Sequence, residues 1–313
     1  MSSAAKVRII TAGKADSGQR IDNYLLRELS GVPKPHIYKI IRTGQVRVNK
    51  KRIKPLYKIN PSDQIRIPPI MLPDKTKLKP RVKFLESIKK SIIYENKQVL
   101  VINKPAGLAV HGGSGIKIGL IEAVRSLYPK YADIELVHRL DKATSGCLII
   151  SKNRAYLRFL HDAFRNSQVH KTYLALLAGR FKANIVRCSK PLKKNILKSG
   201  ERIVEVEEGG KAALTVFKTI QKYKNASLVK VELMTGRTHQ IRVHAQSLGH
   251  PVLGDDKYGN PDINENFKKL GLRRMFLHAN KIIFPHPKSD DITVRAPVEQ
   301  GLYEVLNMLV ASS

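Results

Sequence analysis

The sequence predicts an α+β protein: a small basic α/β domain, then a larger domain built on a mixed, largely antiparallel sheet. Three observations carry this. Many strand-like segments follow one another in the second part, without regular alternation with helices. Pro68, Pro69, Pro73 and Pro80, interleaved with Lys75, Lys77 and Lys79, read as an extended, charged linker. The 313 residues give room for two cores. The expected organisation is a first domain at 1–70 with its core at about 16–70, a linker at 71–85 and a second domain at 86–313.

Charge narrows the partner. The chain carries 57 Lys+Arg against 25 Asp+Glu, a formal net charge of +32. Residues 1–80 alone hold 18 Lys+Arg and 5 Asp+Glu. A field this strong attracts a polyanion, with nucleic acid ahead of an anionic membrane surface. No apolar run reaches the ~18 residues of a membrane span. Met1 to Gly13 lack a signal-peptide core. Cys147 and Cys188 are the only cysteines, so neither a disulfide framework nor a zinc cluster is implied. A reducing cytosol, hence a cytoplasmic location, fits best, and no obligate protein partner is indicated.

In the first domain, Asp16 and Gln19 read as a capping pair opening a helix. Ile21, Tyr24, Leu25 and Leu29 then share one helical face. A second short helix follows Pro35, with Ile37, Ile40 and Ile41 apolar and Gly44 as its stop. Val46–Val48 and Gln64–Ile67 alternate as strands, with a basic turn at Asn49-Lys50-Lys51. Lys39, Arg42, Lys50, Lys51 and Arg52 are left over as cations and form a candidate phosphate-binding surface. Arg20-Ile21-Asp22-x-Tyr24-Leu25, Ile40-Ile41-x-x-Gly44-x-Val46-x-Val48-Asn49 and Asp63-x-Ile65 together resemble the S4 RNA-binding domain.

In the second domain, Ser91–Glu95 and Val99–Asn103 read as paired strands. Strands are also expected at Tyr173–Leu177, Ala212–Ile220, Leu228–Leu233, Lys281–Phe284 and Ile292–Arg295. Helices are expected at Ile118–Leu127, Arg154–Phe164, His239–Leu248 and Gly301–Val310. Gly112-Gly113-Ser114-Gly115 is glycine-rich but lacks the Lys-Ser/Thr ending of a phosphate loop, so nothing asks for a nucleotide cofactor.

The most informative stretch is His138-Arg139-Leu140-Asp141-Lys142-Ala143-Thr144-Ser145-Gly146. It sets one carboxylate beside a cation, between an apolar approach and the apolar run Cys147-Leu148-Ile149-Ile150. A partly desolvated carboxylate needs a partner to stay ionised, and an ionised, oriented Asp is a nucleophile. Taken alone the motif reads as a turn. Three further segments change that: Ile102–His111, Lys171-Thr172-Tyr173-Leu174-Ala175, and Leu233–His244 continued by Gly249-His250-Pro251-Val252-Leu253-Gly254-Asp255-x-x-Tyr258-Gly259.

Together the four segments resemble the RluA-type family of RNA pseudouridine synthases, whose signature is His-Arg-Leu-Asp-x-x-Thr-Ser-Gly; the likeness covers about residues 86–310. Pro191–Val204 resembles a branch of that family acting on several uridines of large-subunit ribosomal RNA. A branch acting at other ribosomal RNA sites is the near alternative, and a catalytically silent RNA-binding factor a more distant one. The resemblance implies that Asp141 is the catalytic residue, Arg242 its charge partner and Tyr173 the platform for the target uracil. Arg139, with His138 beside it, would face RNA and fill the space a flipped base leaves, and Leu277 would line the uracil pocket. From the residues alone, Arg242 also reads as a phosphate contact, and Tyr173 and Leu277 as core residues. Rejoining a uracil to its sugar through another ring atom exchanges no electrons, so no cofactor is implied. No metal site is expected either: His239 and His244 lie five apart on a helix and lack a third ligand.

Overall fold

A computed structural model describes residues 7–29, 31–70, 80–112, 118–196 and 202–311. Pro73, Lys75, Lys77 and Lys79 of the expected linker, Gly113-Ser114-Gly115, and 197–201 of the large-subunit-like segment lie outside them. The chain divides into two compact units, Met1–Lys79 and Pro80–Ser313.

The first unit comprises β1 (Arg8–Thr11), α1 (Ile21–Glu28), α2 (Lys34–Arg42), β2 (Arg47–Val48), β3 (Lys51–Arg52) and β4 (Gln64–Ile67). Its antiparallel sheet runs β1-β4-β2-β3. The periodic residues Ile21, Tyr24, Leu25, Ile37, Ile40 and Ile41 are buried against Val46, Val48 and Ile65. Asp16 does not open α1. Its carboxylate accepts the Gly13 N–H and closes a 3-10 turn, while Gln19 accepts from Arg27 and α1 begins after Arg20. Local carboxylate–backbone pairing wins over capping there. Asn49 and Lys50 both have positive φ, as the tight β2–β3 turn demands. Lys39, Arg42, Lys50, Lys51 and Arg52 are all exposed.

The second unit opens with α3 (Val82–Lys90), whose first turn lies in the stretch expected to be linker. Phe84, Leu85 and Ile88 recur at helical spacing and pack on the core, a pattern masked in sequence by the surrounding Lys and Pro. There follow β5 (Ile92–Glu95), β6 (Val99–Lys104), α4 (Leu120–Leu127), β7 (Glu135–Leu136), β8 (Ser145–Ser151) and α5 (Arg154–Arg165). Next come β9 (His170–Ala178), β10 (Ile185–Cys188), β11 (Leu192–Ile196), β12 (Arg202–Val206), β13 (Thr215–Lys222) and β14 (Ala226–Leu233). The chain closes with α6 (Gln240–Ser247), α7 (Pro261–Lys269), β15 (Leu277–His286), β16 (Ser289–Arg295) and α8 (Gln300–Ala311).

The large sheet runs β10-β13-β14-β9-β15-β8-β6-β5, with β16 beside β15 and β7 beside β8. Only β8–β15 is parallel. Both faces are covered. Leu100, Ile102, Leu148 and Ile150 pack towards α4 and α6, whereas Val99, Val101, Cys147 and Ile149 pack towards α5. That is why β8 reads as an unbroken apolar run rather than an alternating one. At its start Gly146 has φ +108, and a Cβ there would lie 2.3 Å from the Ala279 carbonyl oxygen. Only glycine lets β8 approach β15 this closely, and the approach brings the loop before β8 next to Leu277. β11 and β12 form a separate two-stranded ribbon.

Candidate active site

Asp141 sits in the loop between β7 and β8. The loop is fixed from below by Lys104 at the end of β6. This fully buried amine donates to the carbonyls of Pro105 (2.9 Å), Leu108 (2.9 Å) and Lys142 (3.1 Å). The Lys142 carbonyl also accepts the Gly107 N–H at 2.8 Å. Burial draws the Lys104 pKa down to about 7. The two residues on either side of Asp141 in sequence are therefore committed in different ways: Lys142 by its backbone, Leu140 by burial in the core.

Arg242, in the first turn of α6, faces the loop. Its Nε and Nη2 donate to the two carboxylate oxygens of Asp255 at 2.7 and 2.8 Å, and its Nη1 reaches Asp141 Oδ2 at 3.4 Å. The Tyr258 ring lies 4.9 Å from the guanidinium carbon. Burial opposes charge on Asp255. The Arg242 guanidinium and the N–H groups of Tyr258 and Lys257 outweigh it and hold the carboxyl below the usual range. Arg242 is thus a preoriented cation, neutralised on one side and offering one N–H on the other. His239 approaches the same Asp141 oxygen, its Nε2 at 3.8 Å, while its Nδ1 lies 2.8 Å from the Tyr258 hydroxyl. That hydroxyl also accepts the Val204 N–H at 3.0 Å, linking the β11–β12 ribbon to the site.

Asp141, Arg242, Tyr173, Leu277, Arg139 and His138 all line one cleft of about 860 Å³. Asp141 is the sole carboxylate among its described lining residues, whereas Lys142, Lys171, Lys194, Arg237 and Lys257 supply cations. Tyr173 and Leu277 come from adjacent strands, with Leu277 opposite Ala175 in the β9–β15 register. Both are buried core residues that also line the cleft. Burial, and then the Asp141 charge, push the Tyr173 phenol pKa upward. The shape and charge suit a planar, neutral ring joined to a polyanion.

The sequence search matches the family described as RNA pseudouridylate synthase at residues 98–247 and the S4 domain at residues 19–65. The ribosomal large subunit pseudouridine synthase C of Pasteurella multocida (strain Pm70) is 47% identical over 306 residues, 97% of this chain and 94% of that protein. The protein of that description from Escherichia coli (strain K12) is 45% identical over 308 residues, 97% of each chain. This chain belongs to the RNA pseudouridine synthase family. The synthase also resembles two solved human structures in fold. RNA pseudouridylate synthase domain containing 1 has a TM-score of 0.59 at 28% identity, covering 75% of this chain and 98% of its own. Domain containing 4 has a TM-score of 0.61 at 25% identity, covering 73% and 96%.

The synthase separates residues that the sequence grouped. Arg139 is exposed at the cleft, but the His138 Nε2 accepts the Ile149 N–H at 3.0 Å. His138 lines the cleft with its ring while its nitrogen ties the Asp141 loop to β8, so it orients the loop and does not offer that atom to RNA. His239 and His244 diverge: His244 is buried between Thr215 and the Lys190 carbonyl. Among the described residues no group of three or more His, Cys, Asp or Glu is placed to hold a metal. No helix among the described residues is long and apolar enough to cross a membrane. Asp255 and Tyr258 are the partners that sequence reasoning passed over. They stand in a quoted segment, Gly254-Asp255-x-x-Tyr258, but nothing local marks Asp255 as the counter-ion of Arg242.

The His138 contact has a measurable consequence. Burial, then Lys171, pull its pKa down from the ordinary imidazole value near 6.5 to about 3. The unfolded chain binds a proton there below pH 6.5 that the folded chain refuses. Stability from this group is therefore complete above about pH 6.5 and is lost as pH falls toward 3. Between pH 7 and pH 5 the loss is about 1–2 kcal/mol. Urea titrations at both pH values are expected to show it in the wild type and to show less in His138→Gln.

Proposed function

We propose that the synthase isomerises several uridines of large-subunit ribosomal RNA to pseudouridine in the cytoplasm, with each target base flipped into the cleft and Asp141 as the catalytic carboxylate. The observation that carries this reading is the single carboxylate, Asp141, set beside a neutralised guanidinium in a cation-lined cleft. The substrate class follows from the relatives at 45–47% identity that bear the large-subunit description.

The reaction breaks the bond from N1 of uracil to the sugar, joins C5 to the same sugar carbon, moves a proton off C5 and returns one to N1. One carboxylate serves it, by adding to the substrate or by taking a sugar proton. Hydrolysis of a glycosidic bond usually enlists two facing carboxylates, and among the described residues this cleft offers one. Arg242 aims Asp141 through its Nη1, 3.4 Å from Oδ2. Tyr173 holds the flipped ring, a stack worth ~1–3 kcal/mol, and Leu277 closes the pocket. Arg139 fills the gap left in the RNA stack, offsetting the few kcal/mol that flipping costs. The exposed cations Lys39, Arg42, Lys50, Lys51 and Arg52 hold phosphates of flanking RNA.

Incubation with unmodified large-subunit RNA, followed by pseudouridine mapping, is expected to show conversion at several positions. RNA binding with no uridine converted would overturn the proposal. Tyr173→Phe separates the ring from its hydroxyl. If the phenol takes part in C5 proton removal, single-turnover rates fall at least about tenfold, while RNA affinity stays within about twofold because the stacking face is kept. A weakened affinity with an unchanged rate would reverse that assignment.

A further inference from the structure

A side chamber of about 230 Å³ opens off the cleft and shares Phe164, Lys171, Leu233 and Gly236 with it. Its walls combine two chemistries. Phe164, Val169, Leu233 and Met234 make it apolar, and Met234 is 49% exposed at its edge. Lys171 supplies a cation. It precedes Tyr173 by two residues on β9, so both side chains leave the same face of the strand. Its Nζ lies 5.5 Å from the Phe164 ring centroid, and a Cβ at Gly236 would stand 3.4 Å from that Nζ. Burial pulls the Lys171 ammonium pKa down and no carboxylate offsets it. Among the described residues no Asp or Glu lines the chamber. A half-buried cation without an anion is unfavourable, and an anionic ligand would relieve it.

We infer that this chamber binds the nucleotide next to the target uridine, its base against Phe164 and Met234 and its phosphate on Lys171. The inference rests on reading the main cleft as the uridine site. Continuity is the first argument: the shared walls put the chamber within one nucleotide of a base lying on Tyr173. Complementarity is the second, because a nucleotide is the ligand that pairs a flat apolar face with an adjoining anion. The volume suits a single base, and Ser167, His170 and Thr235 complete the lining beside the apolar residues.

The full-length protein and a synthetic large-subunit RNA fragment containing one mapped target uridine test this. The fragment is made intact and with an abasic unit at each flanking position in turn. For the wild type, one abasic position is expected to raise KM about 5- to 100-fold, the range of one base–aromatic stack, with kcat within about threefold. Lys171→Met and the surface variant Met234→Glu are expected to raise KM on intact RNA. Met234→Glu should lose no further affinity from that same abasic position. Lys171→Met should also flatten the dependence of log Kd on log salt by about 0.7, one phosphate contact on single-stranded RNA. Losses that simply multiply at every position, or an unchanged salt slope, would overturn the inference while wild-type conversion of uridine leaves the reading of the cleft intact. If the wild type converts no uridine in any fragment, the reading of the cleft falls and this inference with it.

Discussion

Asp141→Asn is expected to lower pseudouridine formation about 10⁴-fold or more with folding and RNA affinity nearly unchanged. The substitution keeps size and shape and removes the charge. The Asp141 side chain is 28% exposed, so an amide there is not stranded in the core. Arg242 keeps its two bonds to Asp255, so no buried cation is left unpaired. What disappears is the only carboxylate lining the cleft among the described residues. Neither addition to the sugar nor removal of a sugar proton is within reach of an amide. Single-turnover rates at saturating enzyme, with melting curves, check both halves. Activity retained within about tenfold would remove Asp141 from its role.

Asp255→Ala should act in the opposite way, on the fold first. The Asp255 side chain is fully buried and holds both Arg242 Nε and Nη2. Removing one partner of a buried pair leaves the other desolvated and unpaired, a cost of about 3–5 kcal/mol. For a domain of this size that is a fall in melting temperature of roughly 10 °C. Activity should drop as well, because Arg242 is then free to close on Asp141 and tilt its carboxylate. Asp255→Asn, which keeps an acceptor, should lie between wild type and Ala in melting temperature. A change below about 2 °C for Asp255→Ala would show that the pair carries little of the fold. Together the two variants separate a carboxylate that reacts from one that only supports the cation beside it.

Much of the fold was legible because local pattern and tertiary demand agree. The helical faces of α1 and α2 bury the residues their spacing marks. β8 reads as a central strand because helices cover both faces of the sheet. Failures came where composition hides a pattern. α3 lies in a Lys- and Pro-rich stretch whose charge suggests a linker, yet Phe84, Leu85 and Ile88 are enough to seat it. The β11–β12 ribbon consists of two five-residue strands without apolar–polar alternation, and only its cross-strand register makes it a strand pair. At Asp16 the sequence offered a cap for α1, and a bond to the preceding Gly13 N–H took the carboxylate instead.

By itself the sequence determined that the chain has two parts, that it carries the charge to attract a polyanion, and that its motifs resemble one enzyme family, with Asp141 the carboxylate of the signature. These depend on composition and on short motifs, which survive without knowledge of the fold. Only the tertiary structure decided who stands next to whom. It pairs Arg242 with Asp255 as well as Asp141, commits His138 to a backbone N–H, and opens a second chamber beside Lys171. Contacts across more than a hundred residues of chain, such as Asp141 to Arg242, are fixed by strand order and by the glycine approach of β8 to β15. No local propensity encodes them, because the energy that selects them is packing gained only when the whole sheet has closed.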